Sequence, residues 1–464
     1  MIIATFSGVR FLTETTPPLV AHQYTSAFAR YLRVKNIKHI IIGSDGRSSA
    51  NIYLPFVISS LKDFSVEYVG VVPTPTIQQL VQLSEVACAG IICTASHNNE
   101  DWCGLKFVDS DSIFLNPTNC QTVYGDLQSE NVDSQDIQNA SEFVQNTGNR
   151  YNCIFTSNTI AIQRHINAIL ASNKINKDII RAANLKISFN GMCASGSAYI
   201  EQLCQQFNII LVEPFNMKLG KLPQFPEPTL QNLKEFESHC ASLDIDCAFA
   251  VDPDADRCVL IAGGKVISEE LTLASAVTGY LSLNSSPYVV KNVSTSLATD
   301  AAAAKFNTKV LQTAVGEVNV CMKMKEVGAK IGGEGNGGVI MADAHYGRDS
   351  IVAILLILQW ISIEKKTLAE LIHGLESFAI LKLKFDYQIE NRGCIETKLT
   401  EFSKLQEAKG LKIVLVDGVK IENLGSWVQV RFSNTEPIVR IFAEAEDLAT
   451  AEKLAKEVQE FLGW

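Results

Sequence analysis

Short apolar runs that stop abruptly at polar loops recur through the first three-quarters of this chain, and they restrict its architecture more than any other feature. His39–Gly43, Val66–Val72, Ala87–Cys93, Leu185–Phe189, Asp246–Val251 and Tyr288–Val293 are each five to seven residues long. Runs of that length, apolar on both faces, read as strands of a sheet covered on both sides. Between them lie helical patterns. Thr74-Pro75 reads as an N-cap followed by proline at the first helical position, with Ile77, Leu80 and Val81 forming the apolar face. Further helices are predicted over Ile160–Leu170, Tyr199–Phe207, from a cap at Thr229 to about Leu243, and over Leu271–Leu283 and Asp349–Ile363. Strand and helix in alternation predict α/β layers.

The last ~85 residues differ in character. Leu381, Leu383, Phe385 and Tyr387 alternate, and with the apolar run Ile413–Val416 they predict a half-buried antiparallel sheet. A final amphipathic helix carries Leu454, Val458 and Leu462. A chain of 464 residues is long enough for three to four domains. The stretch Ser129–Arg150, rich in Asn, Ser, Gln and Asp, reads as a loop or boundary. The expected domain limits are 1–148, 149–263, 264–374 and 375–464.

Composition narrows the functional classes. With 40 Lys and Arg against 50 Asp and Glu, the net charge is −10, which argues against a nucleic-acid or anionic-membrane surface. The 12 cysteines form no C-x-x-C pair, so zinc-ribbon and thioredoxin-type motifs are excluded. They read as reduced core thiols of a cytoplasmic protein. The first twelve residues lack the basic start and cleavage site of a signal peptide, and no uncharged apolar stretch reaches the length of a membrane span.

Four loops carry the chemistry. Thr94-Ala95-Ser96-His97-Asn98 follows an apolar run, so Ser96 leaves a strand end into a small polar loop. By itself that is what a capping serine looks like. No G-x-S-x-G elbow surrounds it, and His97, being merely adjacent, is no evidence for a triad. Asp252, Asp254 and Asp256 also follow a strand end. Three carboxylates so close repel unless a cation sits among them, and hard oxygen ligands favour Mg²⁺ or Ca²⁺. Arg257 stands where an EF-hand loop needs glycine, and Gly263 where it needs glutamate, so Mg²⁺ completed by a phosphate fits better. Gly332–Gly338 contains a literal G-x-G-x-x-G, but Val339-Ile340-Met341 continues as a strand rather than a helix. A dinucleotide site is therefore excluded, and a flexible loop presenting Glu334 and Asn336 to sugar hydroxyls, or a structural glycine turn, remains. Arg431, Ser433, Asn434 and Thr435, between two strand-like runs, form either a phosphate cradle or an ordinary hairpin loop.

A serine loop, a D-x-D-x-D loop, a G-E-x-x-G loop and an R-x-S-x-T-E-P loop, in this order, resemble the α-D-phosphohexomutase family over nearly the whole chain. Gly8-Val9-Arg10, Ser44-Asp45-Gly46-Arg47-Ser48-Ser49, Gly104-Leu105-Lys106, Pro226-Glu227-Pro228 and Asp417-Gly418 add to the resemblance. It implies three related α/β domains and a C-terminal α+β domain around one central cleft. By resemblance, Ser96 carries a phosphoryl group, and Asp252, Asp254 and Asp256 bind Mg²⁺ together with the phosphate on Ser96. Glu334 and Asn336 hold the sugar, and Arg431, Ser433, Asn434 and Thr435 bind the substrate's own phosphate. Arg10, Lys106 and Arg257 flank the transferring group, with Lys106 its chemical helper and His97 in support.

The implied reaction moves a phosphoryl group between the 6- and 1-positions of a hexose phosphate through a hexose 1,6-bisphosphate intermediate, in a monomer or homodimer. Gly333–Gly338 with Val315-Gly316-Glu317-Val318 looks most like the phosphoglucosamine mutase branch; phosphomannomutase and phosphoglucomutase specificities stay open. Gly338 stands where many members carry histidine, and Asn336 where many carry serine, so acid/base roles given to that histidine do not transfer. Two rivals are a phosphatase of the haloacid dehalogenase type, with Asp252 as nucleophile and Asp254 as acid, and a non-catalytic sugar-phosphate-binding protein. The phosphatase motif continues D-x-D with x-Thr or x-Val, whereas this chain has Asp256.

Overall fold

The computed structural model describes residues 1–128, 133–146, 153–375, 378–433 and 437–464. Four sheets follow one another along the chain. The first holds β1 (Ile2–Thr5), β2 (Gly8–Leu12), β3 (His39–Ser44), β4 (Ser65–Val71), β5 (Cys88–Cys93), β6 (Trp102–Val108) and β7 (Cys153–Phe155), in the order β1-β2-β6-β5-β3-β4-β7. The second holds β8 (Lys186–Asn190), β9 (Ile210–Leu211), β10 (Cys247–Val251), β11 (Cys258–Ala262) and β12 (Lys265–Val266), in the order β12-β11-β10-β8-β9. The third holds β13 (Tyr288–Asn292), β14 (Lys309–Thr313), β15 (Ile331–Glu334) and β16 (Gly338–Met341), in the order β14-β13-β15-β16. The fourth is antiparallel throughout: β17 (Ala379–Asp386), β18 (Lys412–Val414), β19 (Val419–Asn423), β20 (Ser426–Phe432) and β21 (Ile438–Ala445), in the order β17-β21-β20-β19-β18.

One local pattern repeats in the first three sheets. A strand parallel to its inner neighbour (β5 to β3, β10 to β8, β15 to β13) turns back as an antiparallel strand (β6, β11, β16). The connections between these pairs contain Ser96, the three aspartates and the glycine run. In the fourth sheet, the β20–β21 connection follows Arg431. The first three motif loops are thus returns from a buried strand to its antiparallel neighbour, and Arg431 lies on a strand whose neighbour is likewise antiparallel.

The structure departs from the sequence reading at several points. Ser134–Asn146 is a helix inside the polar stretch expected to be a loop. Its few apolar residues line up, and Ala140 and Phe143 are buried in the first domain's core. The ends of that stretch, 129–132 and 147–150, and the expected limit at 148 lie outside the described residues. The first sheet resumes beyond that limit, at β7, and the second continues past residue 263 with β12. Thr74 is no cap: the helix Thr74–Leu83 starts with it, behind Pro73. The helix after Thr229 covers only Lys234–Cys240, because Thr229 sits in a separate turn, accepting from Asn232 N at 3.4 Å.

The helix Ser350–Glu364 is buried from Ser350 to Ser362 and lies at the centre of a core shared by the first three domains. It packs on the helix Glu270–Leu281 closely enough that a Cβ on Gly279 would lie 2.1 Å from Leu356 O. The fourth domain has its own apolar core. Among the described residues no helix is long and apolar enough to cross a membrane.

Asp349 fastens the three domains beneath this helix. Its Oδ1 caps the helix by accepting from Ile351 N at 2.8 Å. Its Oδ2 lies 2.9 Å from His165 Nε2 of the second domain and 3.1 Å from His345 Nε2 of the third. His165 Nδ1 in turn meets Thr76 Oγ1 of the first domain at 3.0 Å. Burial would raise the Asp349 pKa, but the charge and hydrogen bonds of His165, then those of His345, outweigh it and hold the carboxyl below the usual range. A carboxylate depressed in this way stabilises the fold above its ordinary pKa of about 4 and loses that contribution as pH falls through the lower folded value. Asp349→Asn is therefore expected to cost about 3 kcal/mol at pH 7. The Tm gap between mutant and wild type should narrow as the pH is lowered through the acid range below about 4. Equal Tm values at pH 7 would contradict the clasp.

Candidate active site

Ser96 is 1% exposed and has φ +54°, a left-handed conformation uncommon for a residue with a side chain. A closed ring of hydrogen bonds holds it there. Ser96 N donates to Thr94 Oγ1 at 2.8 Å, and Thr94 Oγ1 donates to Asp45 Oδ2 at 2.5 Å. Asp45 accepts from Arg47 Nε at 2.8 Å, and Arg47 Nη2 donates to Ser96 O at 2.8 Å. Arg47 Nη1 also donates to Trp102 O at 2.6 Å, tying both ends of the loop to one guanidinium. Strain held by a fully bonded buried frame is characteristic of functional residues. The Ser96 hydroxyl lies 3.3 Å from His97 Nδ1. Burial, then the nearby guanidinium groups of Arg257 and Arg10, push the His97 pKa well below its ordinary value, so its ring is neutral.

Asp252, Asp254 and Asp256 are all fully buried and offer ligand atoms within 4.8 Å of one another. Lys106 Nζ donates to Asp254 Oδ2 at 2.6 Å and to Asp256 Oδ2 at 3.0 Å. Thr74 Oγ1 donates to Asp254 Oδ2 at 2.7 Å, and Thr74 N to Asp254 O at 2.9 Å, which is why this residue caps nothing. Arg257 N donates to Asp252 Oδ1 at 3.1 Å. One oxygen of each aspartate remains buried without a hydrogen-bond partner: Asp252 Oδ2, Asp254 Oδ1 and Asp256 Oδ1. Burial and the neighbouring carboxylates, Asp256 first, push the Asp252 pKa well above the usual range. Burial acts the same way on Asp256, but Arg348, Lys106 and Arg257 outweigh it and hold that group ionised. Three clustered aspartates, each with one oxygen free of hydrogen bonds, fit a divalent cation.

Arg257 joins this loop to the serine loop. Its Nη2 reaches His97 Nδ1 at 3.1 Å and its Nη1 donates to Glu227 Oε1 at 3.1 Å. Arg10, on β2, has no side-chain hydrogen bond among the described residues. Burial and the nearby Arg257 charge lower its pKa. Two cations crowded in this way are suited to an anion between them.

The glycine run is a tight return rather than a flexible loop. Glu334 pairs with Gly338 in the β15–β16 ladder, and a Cβ on Gly335 would fall 2.0 Å from Glu270 Oε2. Close approach, more than flexibility, demands glycine there. Glu334 is already engaged: Oε1 accepts from Asn292 Nδ2 at 2.8 Å and Gly316 N at 2.9 Å, and Oε2 from Arg348 Nη1 at 2.9 Å. Asn336 faces the cavity. Arg431 sits on β20 rather than in the loop, directly across from Arg440 on β21, which faces Lys384 on β17. This row of three cations on one sheet face suits a phosphate, and Arg431 Nε is buried without a partner. Ser433 lines the same cavity; Asn434 and Thr435 lie outside the described residues.

The parts converge. Two adjoining cavities of about 190 and 490 Å³ share Arg10, Arg257, Asn336, Arg431 and Arg440. The smaller is also lined by Ser96, Lys106, Glu334, Arg348 and Ser433. Sequence reasoning assigned no role to Asp45, Arg47, Arg348, Arg440 or Lys384. The Asp45–Arg47 spacing was visible as a motif, whereas nothing local to Arg348 marks it.

Models of the four phosphoglucomutase/phosphomannomutase domains match this chain: α/β/α domain I over residues 4–133, domain II over 163–265, domain III over 271–378 and the C-terminal domain over 391–461. A phosphoglucomutase/phosphomannomutase of Thermococcus kodakarensis is 29% identical, the match covering 99% of this chain and 97% of the relative. A phosphoglucosamine/phosphogalactosamine mutase of Sulfurisphaera tokodaii is 28% identical, covering 98% of each chain. Among solved structures, a phosphoglucomutase/phosphomannomutase family protein of Burkholderia thailandensis superimposes with a TM-score of 0.78 at 20% identity, over 99% of this chain and 98% of that one. An Aspergillus fumigatus N-acetylphosphoglucosamine mutase in complex with GlcNAc-6P and magnesium has a TM-score of 0.53 at 12% identity, over 99% and 95%. The chain therefore belongs to the phosphoglucomutase/phosphomannomutase family of α-D-phosphohexomutases.

Proposed function

We propose that this phosphohexomutase converts glucosamine 6-phosphate to glucosamine 1-phosphate through a phosphoserine at Ser96 and glucosamine 1,6-bisphosphate. The observation that carries the reading is that Arg10, Arg257, Asn336, Arg431 and Arg440 line both of two adjoining cavities, with Ser96 on the smaller and Lys384 on the larger. Glu227, Glu269 and Glu270 line the larger cavity, each already paired with Arg257 or Lys382, so the choice of sugar rests on the relatives rather than on this wall. The names of several relatives support an amino-sugar phosphate over mannose or glucose phosphates. Twelve free thiols, ten of them buried, favour a reducing compartment such as the cytoplasm.

The proposed division of labour follows from what each side chain touches. Arg431, Ser433 and Arg440 hold the phosphate that is not reacting, joined on the family resemblance by Asn434 and Thr435. Asn336 orients the ring beside Glu334, whose oxygens Asn292, Gly316 and Arg348 fix. Arg10 and Arg257 draw the other end against Ser96, where burial keeps water from the phosphoserine. Asp252, Asp254 and Asp256 would hold Mg²⁺ with the phosphate on Ser96. Bound there, the ion supplies neutralisation of charge on the transferring phosphoryl oxygens. Lys106, locked onto two of these carboxylates, neutralises charge. His97 Nδ1 accepts from Arg257 Nη2 and lies 3.3 Å from the Ser96 hydroxyl, so its ring supports the serine loop and ties it to Arg257. The phosphoryl group on Ser96 passes to the 1-hydroxyl, the bisphosphate exchanges its two ends, and return of the 6-phosphoryl group to Ser96 completes the reaction. Neither rival activity needs four walls around one serine.

Two outcomes are expected. Intact-mass spectra of freshly purified protein should show a fraction carrying one phosphate, absent in Ser96→Ala, with kcat/KM reduced by at least about a thousandfold. A variant that keeps most of its activity would overturn the phosphoserine. Among glucosamine, mannose and glucose 6-phosphates, kcat/KM with Mg²⁺ should be highest for glucosamine 6-phosphate; a neutral sugar in first place would overturn the assigned specificity but not the mechanism.

A further inference from the structure

Gly338 has no side chain, and another residue uses the room. A Cβ at this position would lie 2.2 Å from Arg348 Cδ and 3.0 Å from its Cγ, with Asn336 Oδ1 next at 3.1 Å. The backbone makes no separate demand for glycine, since Gly338 is not among the positive-φ positions. Through this gap Arg348, from the loop before the helix Ser350–Glu364, directs each arm of its guanidinium to a different carboxylate. Nη2 donates to Asp256 Oδ2 at 2.7 Å, Nη1 to Glu334 Oε2 at 2.9 Å and Nε to Glu317 Oε2 at 3.1 Å. Glu317 in turn accepts from Gln78 Nε2 of the first domain at 3.0 Å. The side chain is 9% exposed and borders the smaller cavity.

This geometry does more than balance charge. Arg348 and Lys106 both bond to Oδ2 of Asp256, which leaves Oδ1 as the oxygen offered to a cation. The same fork holds Glu334 at the end of β15, two residues before Asn336. Lysine could not replace it, because a single ammonium cannot bond three separate carboxylates in one plane. We propose that Arg348 is a positioning residue that fixes the acidic loop and the glycine loop relative to one another, and that glycine at 338 serves to admit it. The inference rests on the reading of the three aspartates as a cation site. It assigns to one side chain the orientation both of a metal ligand and of the sugar-binding return.

The test uses the full-length protein with Gly338→Ala, Arg348→Lys, Arg348→Ala and the double variant Gly338→Ala/Arg348→Ala. Mn²⁺ affinity is read by electron paramagnetic resonance without sugar, alongside KM and kcat with glucosamine 6-phosphate and the Tm. Gly338→Ala keeps every polar group but displaces Arg348; it should weaken Mn²⁺ binding about tenfold, as outer-shell changes do, and raise KM. Arg348→Lys should not restore wild-type affinity. In the double variant the added methyl no longer meets Arg348 and faces only Asn336 Oδ1, so its Mn²⁺ affinity should match that of Arg348→Ala rather than be worse. Should Arg348→Ala fail to fold, Gly338→Ala and Arg348→Lys still decide the matter. Wild-type Mn²⁺ affinity and KM in Gly338→Ala, even with a lowered Tm, would overturn the inference while leaving the cation site intact. No Mn²⁺ binding by the wild type would overturn the cation reading and this inference with it.

Discussion

Three carboxylates on one short loop, all removed from water, set the terms for the rest of this molecule. Desolvating one ionised carboxylate costs several kcal/mol, and placing three together adds repulsion. The structure meets this demand with cations from different parts of the chain. Lys106 comes from β6 of the first domain, Arg348 from the third, and Arg257 from the loop itself. Thr74 adds a neutral donor from the first domain. The acidic loop is thus the point at which three domains are fastened, and their shared apolar core and the Asp349 clasp complete the assembly.

The fourth domain is attached differently. Its core is separate, and several polar contacts join it to the third domain. Lys382 Nζ lies 2.7 Å from both Glu269 Oε1 and Glu270 Oε1, Ser294 Oγ donates to Gln429 Oε1 at 2.6 Å, and Leu297 N donates to Glu444 Oε2 at 2.8 Å. Polar contacts of this kind permit relative movement more readily than a fused core does. Three domains that share one core around Ser96, and a cationic sheet carried by a fourth domain with its own core, suit the proposed reaction, in which one phosphate is gripped and the bisphosphate must turn.

The site loops were legible because their chemistry is compressed into a few consecutive residues: a serine after an apolar strand, alternate aspartates, a glycine run and an arginine beside hydroxyls. The alternation of strand and helix was legible for the same local reason. What escaped depended on distance in sequence. Thr74 has the residue pattern of a cap, yet its hydroxyl serves an aspartate 180 residues away. Glu334 looked free to meet a sugar, but Asn292, Gly316 and Arg348 already hold it. Arg348 is indistinguishable from a surface arginine until the absence of a Cβ on Gly338 is seen in three dimensions. The helix Ser134–Asn146 was hidden by polar composition around a few aligned apolar positions.

The central claim is that Ser96 exchanges its phosphoryl group with a sugar and not with water. Protein labelled with radioactive phosphate on Ser96 and mixed with one equivalent of unlabelled glucosamine 6-phosphate tests it directly. The label should leave the protein within a single turnover and appear in glucosamine 1-phosphate and the bisphosphate. Release of the label as inorganic phosphate, or its retention on the protein, would contradict the account.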